Sequence, residues 1–426
     1  MDDSGDEQAR STAARVARRS YGKLVALLAA RSRDVSSAEE ALSEAFASAL
    51  GTWPRSGCPD NPEAWLLTAA RRRLIDVARR RHRGELALSN ALSLAEGPTD
   101  AREDAEIPDQ RLALLFACAH PAIDPWIRAP LMLQVVLGLD AARIASAFLV
   151  SPAAMGQRLS RAKSKIRLAG IPFRIPDTDE LPERVAAVLD AVYAAFAEGW
   201  NDAGGTDIAR RDLADEALFL GRLVVELLPD AAEALGLLSL MLHAEARRRA
   251  RRDEAGEYVP LAEQDPARWN GEMIDEAEAL LRRASLLGSI GRYQLEAALQ
   301  SAHVSQCKTG LSDGSSVLVL YDALLALTAS PVVALNRALA IAELDGPARA
   351  LQLVDELAGE PQLSQYQPYW VTRAELLART GATEAARQAY DVAIGLERDP
   401  AVRRFLQRRQ AATRRVGPAP DEKLVP

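Results

Sequence analysis

Cysteine is scarce in this chain: Cys58, Cys118 and Cys307 stand far apart and odd in number, with no CxxC pair among them. That usage offers no metal site and suits a reducing cytoplasm. Only four histidines occur, and there is no HExxH motif, Walker loop or dinucleotide fingerprint. No apolar run reaches the length needed to cross a bilayer, and the opening MDDSGDEQAR is acidic without the apolar stretch of a signal peptide. Aromatic residues are 5% of the chain, and no run of alternating β-branched residues marks a sheet. What is abundant is Ala, Leu, Arg and Glu at helical spacing. The reading is an all-α, cytoplasmic protein that is no enzyme, holds no cofactor or metal and does not engage a membrane.

A GLSDG stretch at Gly310–Gly314 fits the G-x-S-x-G pattern of a hydrolase nucleophile. That elbow needs a strand before the serine, and LEAALQSAHVSQ is helical in character. Its histidine should follow the serine, yet His82, His120, His243 and His303 all precede Ser312. The match reads as a loop.

The formal net charge of -7 conceals a division: residues 1–176 carry a net +5 and residues 177–426 a net −12. A nucleic-acid-binding front half and an acidic back half with another task would produce it. The positive charge is concentrated in RRRLIDVARRRHR, Arg71–Arg83, where seven arginines surround a single Asp76. Helices are expected over 15–31 and 36–50, the second with Ser36 and Ser37 at its start, then a loop over 51–61. A third helix starts at Asn61-Pro62, a capping residue followed by a proline whose missing N–H costs nothing there. Ala64, Leu67, Ala70, Leu74, Val77 and Ala78 form its buried stripe. Arg72, Arg73, Asp76, Arg79 and Arg80 then face outward. A merely solvated face would hold glutamates spaced to pair with the arginines, and only Asp76 is present. The face is read as phosphate-binding.

Residues 84–108 form an acidic linker with Gly and Pro breakers. Residues 109–175 hold another helical unit. Within it a short helix from Asp140, a turn near Val150 and a second helix capped by Ser151 and opened by Pro152 make a helix-turn-helix pattern. Ile144, Ala145, Phe148, Met155, Leu159 and Ile166 supply its apolar faces. Arg158, Arg161, Lys163, Lys165 and Arg167 line the second helix, and residues 151–176 contain no acid.

Taken in order, SSAEEALSEAFASAL with NPEAWLLTAARRRLIDVARRR, and then LGLDAARIASAFLVSPAAMGQRLSRAKSKIR, resemble regions 2 and 4 of the extracytoplasmic-function group of sigma-70-like RNA polymerase sigma factors. The resemblance covers about residues 10–175. It implies two small sigma-type helical domains, at 10–83 and 109–175, that join core RNA polymerase and recognise promoter DNA. Glu40 and Glu44 match residues that bind the polymerase clamp, although Ser43 stands where the family commonly has glutamine. The loop 51–61 matches the segment holding an unstacked base. Trp65, Arg72, Asp76, Arg79 and Arg80 match the helix facing the minus-ten element. Gln157, Arg158, Arg161, Lys163 and Lys165 fall on the helix facing the minus-thirty-five element.

Residues 181–410 are expected to form a helical-repeat domain. AIAELDGPARALQLVDEL and ELLARTGATEAARQAYDVAI align on Gly346 and Gly381 with Ala350 opposite Ala385, a spacing close to the tetratricopeptide period. FAEGW, RYQLEAALQSAH and SPVVALNRALAIAELDGP resemble segments of the sigma-factor subgroup with such an extension. The implied function is a sigma factor directing transcription initiation, its extension modulating activity through an unidentified protein or an intramolecular partner. The competing reading is a helix-turn-helix regulator with a helical-repeat sensor that never joins the polymerase. A simple activator has no need of the acidic helix 38–50 or the loop 51–61.

Overall fold

The computed structural model describes residues 3–82, 109–148, 150–200, 208–311 and 313–413. The expected linker 84–108 and Ser312 lie outside them. Among the described residues the protein is all helix apart from turns and one isolated bridge between Arg252 and Tyr258. The chain divides into two compact units.

The first unit contains α1 (Asp3–Ser32), α2 (Val35–Ser56), α3 (Pro62–His82), α4 (Arg111–Cys118), α5 (Pro125–Leu137), α6 (Ala141–Ala147), α7 (Pro152–Leu168), α8 (Leu181–Trp200) and α9 (Ile208–Leu227). Helices α1–α3 pack on one another, and α4, α6 and α7 pack on α5; the residues Leu112 to Cys118 of α4 are all buried. The sequence reading begins the C-terminal domain at 181, but α8 and α9 belong here. Buried Arg184 on α8 donates to the carbonyl of Phe116, and Arg143 and Arg111 reach Glu216 and Glu226 on α9 at 3.6 and 3.9 Å.

Local signals set most helix starts. Asn61 Oδ1 accepts from the Ala64 N–H at 3.0 Å, and Ser151 Oγ from that of Ala154 at 3.2 Å. At α2 the cap is Asp34 rather than a serine: its carboxylate accepts from the N–H and hydroxyl of Ser37 at 3.3 and 2.9 Å. The expected loop at 51–61 is shorter than the composition implies, because α2 continues through Pro54 to Ser56. Trp53, 2% exposed, meets Trp65 of α3 edge-on with centroids 5.5 Å apart and holds the last turn in place. Gly57, at φ 81°, then ends the helix with its N–H on the Trp53 carbonyl.

The second unit contains α10 (Ala232–Ala246), α11 (Gly271–Ser285), α12 (Arg292–Thr309), α13 (Gly314–Thr328), α14 (Pro331–Leu344), α15 (Pro347–Glu356), α16 (Pro361–Ser364), α17 (Gln367–Arg379), α18 (Thr383–Leu396) and α19 (Pro400–Thr413). Pairs α14–α15 and α17–α18 share a design. Gly346 and Gly381, at φ 90° and 82°, turn the chain before the second helix of each. Ala350 and Val354 are buried on α15, but the equivalents on α18 are Ala386 and Tyr390, one residue beyond the expected Ala385. The reason lies in the turns: Pro347 opens α15 directly after Gly346, whereas Ala382 intervenes before α18. The stack also closes on itself. Arg252 pairs with Asp399, Glu257 accepts from Arg404 and Arg408 at 2.8 Å each, and Tyr258 meets Phe405 edge-on. Asp313 caps α13 by accepting from the Ser316 N–H, and the segment before GLSDG is helix α12, not a strand.

His243 sits fully buried on α10, with neither ring nitrogen hydrogen-bonded and the Glu278 carboxylate 3.5 Å from Nε2. Burial, with Arg247 and Lys308 nearby, holds its pKa down to about 4. The folded state therefore keeps this imidazole neutral while the unfolded chain takes up a proton near 6.5. Stability of this unit should be full above about pH 6.5 and fall by roughly 2–4 kcal/mol as pH drops towards 4. Calorimetric unfolding of the full chain across that range checks it: His243→Leu should flatten the decline, and an equally steep decline would assign it elsewhere.

Candidate nucleic-acid interface

At about 100° per residue, Trp65, Thr68, Arg72, Asp76 and Arg79 fall on one face of α3, opposite the buried Leu66, Leu67, Ala70 and Leu74. Arg72, Asp76 and Arg79 are exposed and engage in no ion pair among the described residues. The side chain of Arg80 lies outside the described residues. Val77 and Ala78 are only half-buried, so the stripe is narrower towards the C-terminal end.

Two arginines flank that stripe. Arg73, expected on the outward face, leans onto α2 and donates through Nη2 to Glu44 Oε1 at 2.7 Å. The acid that the third helix lacks is thus supplied by the second, and Glu44 is half-buried in that pair while Glu40 stays exposed. Arg71, on the other edge, has a buried Nε with no hydrogen-bond partner among the described residues. Burial and the neighbouring Arg31 guanidinium lower its pKa.

The cations of α7 also split about a buried stripe, here Met155, Leu159, Ala162 and Ile166. Lys163 donates to Glu39 on α2 at 2.7 Å, both side chains 14% exposed, and Arg167 lies 3.6 Å from Asp34. Burial pushes the Glu39 carboxyl up against the pull of Lys163. Arg158, Arg161 and Lys165 occupy the opposite flank, where with Ile123, Asp124, Trp126, Ile127 and Ala162 they line a groove of about 550 Å³. Gln157 is exposed between the two flanks. The lone acid of the groove, Asp124, spends an oxygen on the Trp126 N–H at 3.0 Å.

Sequence reasoning passed over Trp126. Its ring is 43% exposed, meets Phe148 edge-on at 6.1 Å, and carries the Arg158 guanidinium 4.5 Å from its centroid. An exposed tryptophan in the first turn of α5, just after a capping Asp-Pro pair, was the available signal. Glu39 and Asp34 were also missed, since nothing local announces an ion pair across more than 120 residues.

Residues 16–84, which take in most of α1 and all of α2 and α3, match the model for sigma-70 region 2. Residues 184–285 match a family of unknown function, DUF6596, and run from α8 to the end of α11, across the division between the units. An uncharacterized protein of Rhizobium meliloti (strain 1021) is 41% identical over 369 residues, 85% of this chain and 87% of that protein. The chain belongs to the same family as that protein. No solved structure matches it. The sigma-70 region 2 domain of this family member supports a sigma-factor role in transcription initiation, and with it association with core RNA polymerase and promoter DNA. The sigma-70 family is one of non-enzymatic transcription factors. Among the described residues no helix is long and apolar enough to cross a membrane, and no group of three or more His, Cys, Asp or Glu is placed to hold a metal.

The Trp126 ring holds Arg158 in place, a contact of about 0.5–1 kcal/mol at an exposed site. Trp126→Leu should weaken binding to duplex DNA by about two- to fivefold, and should add nothing in an Arg158→Ala background. Anisotropy titrations of a labelled duplex measure both, and an equal loss in the two backgrounds would make the ring a packing residue only.

Proposed function

We propose that the chain is a sigma factor of the extracytoplasmic-function type, whose α3 face reads the minus-ten element and whose α7 reads the minus-thirty-five element. The observation that carries this reading is the face of α3 inside the sigma-70 region 2 match, where Arg72, Asp76 and Arg79 are exposed without an ion pair among the described residues and the half-buried Trp65 lies in line with them. Opening a promoter exchanges duplex stacking for contacts to one strand, which calls for cations along a backbone and aromatic or pocket contacts to bases. Arg72 and Arg79 supply the first, Trp65 and the turn 57–61 the second. The α6–α7 pair acts as a helix-turn-helix, with Gln157, Arg158, Arg161 and Lys165 at the groove. Glu40 is the polymerase contact that stays exposed, Glu44 being engaged with Arg73. The second unit, tetratricopeptide-like in its α14–α18 pairs, adjusts this activity through a partner.

Co-purification with core polymerase, followed by transcription from a promoter in vitro, tests the reading. Glu40→Lys should abolish core association with the fold intact, because an exposed helix position tolerates charge reversal. Retained association of the variant would remove Glu40 as the contact, and DNA binding by a parent chain that fails to associate with core would instead favour a helix-turn-helix regulator acting outside the polymerase.

The arginine face makes a separate forecast. Arg72→Ala with Arg79→Ala should weaken promoter binding and reduce the slope of log affinity against log salt by roughly two, one for each lost phosphate contact. An unchanged slope would leave the two arginines as solvated surface.

A further inference from the structure

Where α10 ends, a positive charge is buried without a negative one to meet it. Arg247, the residue that closes α10, is 8% exposed. Its guanidinium donates through Nε to the His243 carbonyl at 3.0 Å and through Nη2 to the Gln300 side-chain oxygen, both neutral acceptors. Nη1 has no partner among the described residues. The acids nearby are engaged elsewhere: Glu245 pairs with Arg248 at 2.7 Å, and Glu278 lies 3.5 Å from His243. Buried charges are ordinarily paired, because the hydration they give up is large. Burial and Arg251 hold the Arg247 pKa down to about 10, and Cys307 alone pulls it upward. Helix α12 presents Gln300, His303 and Cys307 on one face, at i, i+3 and i+7. All three are half-buried, so the approach from solvent stays open on their side. His303 makes no hydrogen bond among the described residues, and burial together with Arg247 lowers its pKa. At neutral pH it is therefore an uncharged imidazole with one N–H to give. In the apolar cluster against which Cys307 packs, the buried Trp269 indole N–H also has no acceptor. What these groups lack is acceptor atoms and one negative charge.

We propose that the second unit binds a small carboxylate at Arg247 and His303. Its two oxygens match the two open donors, Arg247 Nη1 and a His303 N–H, and its single charge matches the guanidinium. A dianionic phosphate would bring in a second charge that Arg247 leaves unmatched. Arg247 lies inside the match to the family of unknown function, so the site gives that segment a task. The assignment does not depend on the sigma-factor reading.

Cys307 serves as the reporter, since Cys118 is buried and Cys58 can be replaced by serine. Iodoacetate carries a carboxylate and iodoacetamide does not, while both alkylate a thiolate sulfur with loss of iodide. In the full chain with Cys58→Ser, iodoacetate should modify Cys307 about tenfold faster than iodoacetamide, as for a charged reagent drawn to a fixed cation. A free thiol in solution shows the opposite order. The iodoacetate rate should saturate with concentration, and at constant ionic strength acetate should slow it while inorganic phosphate does not. Arg247→Gln should abolish the preference, with circular dichroism showing that the helix content is kept. Competition by acetate in the unsubstituted site decides the matter even if that variant does not fold. An iodoacetate rate no higher than that of iodoacetamide, phosphate protecting as well as acetate, or a preference kept in folded Arg247→Gln would each overturn the site.

Discussion

Gly22 has no side chain, and the arrangement of the first unit depends on that. Because α1 can lie against the Val136 carbonyl, α5 sits close enough to bring α7 alongside α2. Only then does the Lys163–Glu39 pair form, shielded from water on most sides. Taking two charges out of water costs much of what their attraction returns, so the pair contributes little net stability but penalises misalignment heavily. Apolar burial supplies adhesion at the seam, and the charges fix its register. Burial of Cys118, whose thiol pKa is pushed up by desolvation and by Glu39, belongs to the same low-dielectric region.

Positive charge in this unit is sorted by geometry rather than spread. Arginines in line with the exposed face of α3 stay free, while at the edges Arg73 is diverted to Glu44 and Arg71 is partly buried, its charge disfavoured by burial and by Arg31. The same sorting on α7 leaves Arg158, Arg161 and Lys165 for a ligand and assigns Lys163 and Arg167 to structure. A net charge of +5 over residues 1–176 therefore overstates the free cations, since part of it is neutralised within the fold.

Helices, their caps at Asn61 and Ser151, and the exposed face of α3 could be read from spacing, because each depends on residues within a turn or two of each other. The overrun of α2 to Ser56 could not: Gly51, Thr52 and Pro54 all signal a loop, and only the tertiary contact of Trp53 with Trp65 outweighs them. The placement of α8 and α9 with the first unit was hidden for the same reason, resting on Arg184 reaching a carbonyl 68 residues away. In the pairs α14–α15 and α17–α18 the spacing of Gly346 and Gly381 was visible, but the single residue Ala382 shifted the buried positions, a detail set by turn geometry. Lys163 illustrates the limit best, since sequence places it on a basic helix and cannot say which flank an acid from α2 will claim.

The closure of the second unit by Glu257, Arg404 and Arg408 has a consequence for how such a stack can change. An open array of helix pairs gains or loses a repeat at little cost, because each pair touches only its neighbours. Here the last helix is tied to the turn that follows the first, so inserting or deleting one pair would pull Tyr258 away from Phe405 and strand two arginines. The number of helices is fixed by the requirement that the ends meet. Unfolding at one end must also release the other, which turns a row of local contacts into a single cooperative body.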